Sequence, residues 1–95
     1  MNNLHQAFLE YHAAHPGVYD LLVSLARCCR ASGMTQYGIA SLFERVRWHY
    51  HVDYGEGDFK LNNNHKAFYA RMIMEREPDL RGFFETRDRT WRQAA

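Results

Sequence analysis

Apolar residues recur at helical intervals over five stretches of the chain and at alternating positions over one. Leu4, Phe8 and Tyr11 define the first stretch, with Asn2 or Asn3 available as an N-cap, until HPG at 15–17 stops it. Val18, Leu21, Leu22, Leu25 and Cys28 or Cys29 follow i, i+3, i+4, i+7, and Gly33 supplies a C-terminal stop for this second helix. Ile39, Leu42, Phe43, Val46 and Tyr50 predict a third helix, whose other faces carry Ser41, Glu44, Arg45, Arg47, Trp48 and His51. The period then changes. Val52 and Tyr54 alternate before GEGD, and Phe59 and Leu61 alternate after it, which predicts a short β-hairpin over 51–61. Phe68, Tyr69, Met72 and Ile73 restore helical spacing until Pro78, and Leu80, Phe83 and Phe84 suggest a last short helix with Asp79 at its start. The predicted class is therefore mainly α with one short β-hairpin: about five helices in a single domain spanning 1–95, with 88–95 polar enough to fray. Helix, helix, turn, helix, hairpin, helix is also the order of a winged helix-turn-helix.

A chain of 95 residues buries one modest core, which leaves little room for a cofactor cleft. Lys and Arg number 12 against 11 Asp and Glu, so no overall charge draws the chain to nucleic acid or to an anionic membrane. Any basic surface must be local. Cys28 and Cys29 are adjacent on a helix, where their side chains diverge by about 100° and cannot form an ordinary bridge. That suits a reduced, cytoplasmic setting. No apolar run approaches the length of a membrane span, and MNNLHQAF lacks the features of a signal peptide.

In a DNA-binding helix-turn-helix the second helix of the pair enters the major groove while flanking cations touch phosphates. Gln36, Ser41, Arg45, Arg47, Trp48 and His51 on or beside the third helix, with Lys60 on the hairpin, are the candidate contacts for duplex DNA or for a protein partner. The plain alternative is a solvated helix face, with Glu44 pairing locally to Arg45 or Arg47. His12 with His15, and His49 with His51 and Asp53, invite a metal reading, but the cysteines stand far from both pairs and not in a CxxC; no metal and no cofactor is expected. Cys28 or Cys29 with a histidine is the one nucleophile pairing worth naming, and a cysteine on a helical stripe is more often a small core residue. No catalytic set emerges, and a non-enzymatic binding protein is expected. Most aromatics should be core, with Trp48 and Trp91 the two that fall off the apolar pattern.

Asn62, Asn63 and Asn64 stand where strand periodicity ends and helical periodicity resumes. A structural junction is expected there, with Asn63 or Asn64 capping the fourth helix through its side-chain oxygen and asparagine tolerating a positive φ if the junction demands one.

The stretches YGIASLFERVRW (37–48), FKLNNN (59–64), YARMIMEREPDL (69–80) and GFFETR (82–87) resemble a family of small proteins encoded by bacteriophages and prophages. The resemblance runs from about His15 to Arg87, with His65 standing where it would place an aromatic residue. It implies a phage or bacterial origin and the cytoplasm of the bacterial host, and brings no activity with it. Small phage proteins without enzymatic signatures tend to work by contact. Two readings follow: a winged helix-turn-helix-like DNA-binding regulator, acting as a homodimer, or an inhibitor or adaptor that binds a host protein, such as a component of antiviral defence, through exposed Trp and Arg.

Overall fold

The structure, a computed structural model, describes residues 3–85; Asn2, Trp91 and the tail at 88–95 lie outside the described residues. Four α-helices carry the chain: α1 (Asn3–Ala14), α2 (Pro16–Ala31), α3 (Ile39–Trp48) and α4 (Lys66–Arg76). No strand occurs among the described residues, so the hairpin expected at 51–61 is absent, and the wing with it. The last short helix reduces to one 3-10 turn at Pro78–Leu80.

The helical backbone does not stop where Val52 and Tyr54 begin to alternate. It continues through a π-helical turn over His49–Asp53, in which the Tyr54 N–H donates to the His49 carbonyl at 3.1 Å, and Val52 and Tyr54 are left exposed. Past Gly55, Leu61 is buried and Phe59 partly so, while Lys60 faces solvent, as alternation requires. Yet their carbonyls are met by side chains rather than by a second strand. His51 Nε2 donates to the Phe59 carbonyl at 2.9 Å, the Tyr11 hydroxyl to that of Lys60 at 2.7 Å, and the Arg47 guanidinium to that of Leu61. With those acceptors satisfied, the segment needs no second strand for them.

The asparagines make the joint that follows. Asn62 Oδ1 accepts from the Asn64 N–H at 2.8 Å, which caps the 3-10 turn Asn63–His65 that runs straight into α4. The capping side chain is thus that of Asn62, and not Asn63 or Asn64. Asn63 Oδ1 instead accepts from Arg47 at 2.8 Å. No non-glycine residue has a positive φ among the described residues, so asparagine's tolerance of it goes unused.

Helix α2 ends in a Schellman motif. The Met34 N–H reaches the Cys29 carbonyl at 3.2 Å and the Gly33 N–H that of Arg30 at 3.0 Å, with Gly33 at φ +105°, a conformation that favours glycine. At the far end of the chain, Glu77 takes the extended backbone that Pro78 imposes and α4 stops at Arg76. Asp79 lies in the first turn of the 3-10 segment rather than at its N-cap, which is Glu77, and its carboxylate holds Arg27 of α2 at 2.9 Å, beside a second contact from Arg27 to Glu77 at 2.8 Å.

Tyr69 is the centre of the core. Fully buried, it meets Phe8 edge-on at 4.8 Å and Phe43 at 6.0 Å, which ties α1 and α3 to α4. Helix α1 buries Phe8 alone and docks mainly through rings: Phe8 stacks on Phe68 at 5.3 Å, Tyr11 lies 5.0 Å from His65, and His12 lies 5.5 Å from Tyr19. His65 therefore fills an aromatic role although it is no aromatic hydrocarbon. It is 6% exposed, and its Nδ1, like His12 Nδ1, finds no hydrogen-bond partner among the described residues.

Burial lowers the pKa of His65, and burial followed by the nearby Arg76 lowers that of His12, with Asp20 opposing. A histidine whose folded pKa is depressed binds its proton first in the unfolded chain, so stability is lost as pH falls below about 6.5 toward the folded value. Thermal unfolding followed by circular dichroism should therefore show a lower Tm at about pH 5 than at about pH 7.5, and His65→Phe should shrink that difference. An undiminished pH dependence in the variant would remove His65 from the account.

Candidate interaction groove

Helix α3 presents two chemically different sides. Leu42, Phe43 and Val46 go to the core, while Ser41, Arg45, Trp48 and Val52 follow i, i+4, i+7, i+11 along an exposed stripe. Helix α2 buries Val18, Tyr19, Leu22, Val23 and Ala26, a face turned slightly from the one expected. Cys28 is thereby exposed, while Cys29 is partly buried and packs against the margin of the core.

Between these two helices lies a groove of about 660 Å³. Leu25, Cys28 and Cys29 line it from α2; Ser41, Arg45 and Trp48 line it from α3, with Leu42 and Glu44 beside them and Tyr37 contributed by the connector. Trp48 is 55% exposed, the largest apolar group on this face. Two charged side chains line the groove. Glu44 is bonded by Arg47, whereas Arg45, about half exposed, is held loosely by Asp53 at 4.0 Å. Asp53 also lies 3.5 Å from His49 Nδ1.

Of the seven candidate contacts, three meet here: Ser41, Arg45 and Trp48. Gln36 sits on the connector, its Nε2 donating to the Gly82 carbonyl at 3.4 Å. Arg47 turns away from the groove; its side chain is 20% exposed and is consumed by Glu44, Asn63 and the Leu61 carbonyl. His51 is spent on Phe59. Lys60 is exposed on the loop and borders a separate hollow of about 370 Å³ together with His15, Glu56 and Asp58. Tyr37, Leu25 and the cysteines were missed as groove residues. One signal could have found the cysteines, since Val18, Leu22 and Ala26 complete an i, i+4, i+8 core stripe without them.

Chemically, the groove offers apolar area, an indole, two thiols and a guanidinium. No histidine lines it. Among the described residues no three His, Cys, Asp or Glu side chains stand close enough to hold a metal ion, and no helix is long and apolar enough to cross a membrane.

Arg45 and Arg47 should separate cleanly on mutation. Arg47→Ala leaves the Leu61 carbonyl and Asn63 without their donor and should cost about 1–3 kcal/mol, seen as a drop in Tm of roughly 10 °C. Arg45→Ala removes a screened surface contact and should stay within about 0.5 kcal/mol. Equal effects in thermal unfolding would contradict the division between anchor and free rim.

Comparison with protein-family models, with characterised proteins and with solved structures finds no match, so the reading of the groove rests on its own geometry.

Proposed function

We propose that this chain is a non-enzymatic protein-binding module, an inhibitor or adaptor acting in the cytoplasm, which engages its partner through the groove between α2 and α3. The observation that carries this reading is Trp48, more than half exposed beside Arg45 over an apolar floor. Trp and Arg dominate protein–protein hot spots, and covering the exposed part of an indole is worth on the order of 3 kcal/mol. The partner this surface suits carries an apolar anchor for the groove and a carboxylate for Arg45.

Charge supports a protein partner over duplex DNA. Arg45 sits near Glu44 and Asp53, Lys60 near Glu56 and Asp58, and Arg47 is engaged internally. Cations interleaved with carboxylates do not make the continuous positive stripe that neutralises successive phosphates.

Photocrosslinking tests this directly. A photoreactive phenylalanine at Tyr37 or Ser41 should trap the same protein in the cells that make this chain, one at the exposed Ala13 on α1 should not, and Trp48→Ala should abolish the adduct. Titration with a short duplex should show no affinity that falls steeply with salt. Absence of a protein adduct at both groove positions, or salt-sensitive duplex binding lost on Arg45→Ala, would sink the proposal.

A further inference from the structure

We infer that the natural occupant of the α2–α3 groove is a short amphipathic helix of the partner, about three turns long, that sets an acidic residue against Arg45. This rests on the protein-binding reading above and adds what the partner must look like.

Backbone chemistry decides the conformation. Both walls are α-helices, so their backbone N–H and C=O groups are bonded along the helix, apart from the first-turn N–H groups of α3, while at the end of α2 the Cys28 and Cys29 carbonyls are met by the N–H groups of Ser32 and Met34. An extended segment docked there would find no edge of free donors and acceptors, and no strand elsewhere among the described residues offers one. A segment entering the groove must therefore bring its own hydrogen bonds already made. A helix does that.

Spacing points the same way. The lining positions repeat at helical intervals on each wall: Leu25, Cys28 and Cys29 on α2, and Ser41, Arg45 and Trp48 on α3. Two adjacent helices with exposed stripes form a trough that a third helix fills by ridge-into-groove packing. Along α3 the lining runs from Ser41 to Trp48, roughly 10 Å at 1.5 Å per residue, and Tyr37 on the connector, two residues before the helix begins, extends it to roughly 16 Å. A helix of about eleven residues matches that length.

Electrostatics fixes the sign of the partner's rim. Glu44 is already bonded by Arg47, so it presents little unbalanced charge to a ligand. Arg45 has Asp53 at 4.0 Å, with both side chains about half exposed, a contact loose enough for a better-placed carboxylate to replace. Arg45 lies three residues before Trp48, on the same stripe, so the partner's acid should fall within one turn of the side chain that packs on the indole.

A displayed library of random peptides about 14 residues long, selected against the full chain, tests the inference. Selected sequences should carry apolar residues at i, i+3 or i+4, and i+7 with Asp or Glu at the flank, should become helical on binding by circular dichroism, and should lose binding to Trp48→Ala. Selection against Arg45→Glu should exchange the acids for Lys or Arg, and acidic peptides should bind that variant at least about tenfold more weakly. Should Arg45→Glu fail to fold, Arg45→Ala supplies the same comparison without the reversal. Proline-rich or extended binders, binders indifferent to Arg45, or an empty selection would each overturn the inference. So would a Trp48-dependent dimer in sedimentation velocity, which would make a second copy the occupant. A trapped partner in the crosslinking experiment together with any of these results would leave the protein-binding reading standing and remove the helical ligand alone.

Discussion

Three successive carbonyl groups, of Phe59, Lys60 and Leu61, lie in a segment without secondary structure, with no strand beside them among the described residues, and the seating of that segment depends on how they are met. The Leu61 carbonyl is part-buried, and left unpaired it would cost about 1–3 kcal/mol, a large share of the stability of so small a domain, whereas the bonds to Phe59 and Lys60 lie nearer the surface. Here each receives a side-chain donor from a different place: Tyr11 on α1, Arg47 on α3 and His51 in the π-helical turn. Arg47 goes further and reaches Asn63, one residue beyond the Asn62 that caps the turn into α4. A loop without secondary structure is thus sewn to the helices on either side of it.

That arrangement also sets the rotation of α3. Arg47 pulls one side of the helix toward the loop while Leu42, Phe43 and Val46 seat another in the core. What is left faces outward. Ser41, Arg45 and Trp48 have no role in the packing just described, and they stand opposite Cys28, which α2 likewise leaves exposed, and Cys29 at the margin of the core. The groove is the remainder after the core and the joint have taken what they need.

The four long helices were legible because each has enough turns for apolar spacing to repeat, and the stop at Gly33 because a Schellman motif needs its residue type. The hairpin was misread for two separate reasons. Alternation at Phe59 and Leu61 reports which side chains are buried, and Leu61 is buried and Phe59 partly so, but it says nothing about what bonds the carbonyls, and no strand forms. Alternation at Val52 and Tyr54 reports nothing at all, because Val52 is exposed on the π-helical turn and Tyr54 is exposed just after it. Arg47 illustrates the limit at the site. Its sequence neighbours suggested an outward contact, and only the position of Leu61 and Asn63, fourteen and sixteen residues away, reveals it as an anchor. Of the groove, the α3 wall was visible as polar and aromatic residues off the core stripe. The α2 wall was hidden, since cysteine fits equally well in a core and on its margin.

A groove between two helices held at fixed rotation differs from a surface that must rearrange to bind. Leu22 on α2 and Phe43 on α3 are fully buried in the one core that also contains Tyr69, so the walls are set before any ligand arrives. Binding then costs the protein mainly the rotamers of Trp48 and Arg45, and most of the ordering falls on the ligand. An exposed indole lowers solubility and contributes little to the core, so its place beside a loosely held arginine is poorly explained by stability. Stability is supplied elsewhere, by the rings around Tyr69 and by the donors that close the Phe59–Leu61 carbonyls. With the fold secured on the loop side of α3, its opposite side is free to be shaped by contact with another molecule.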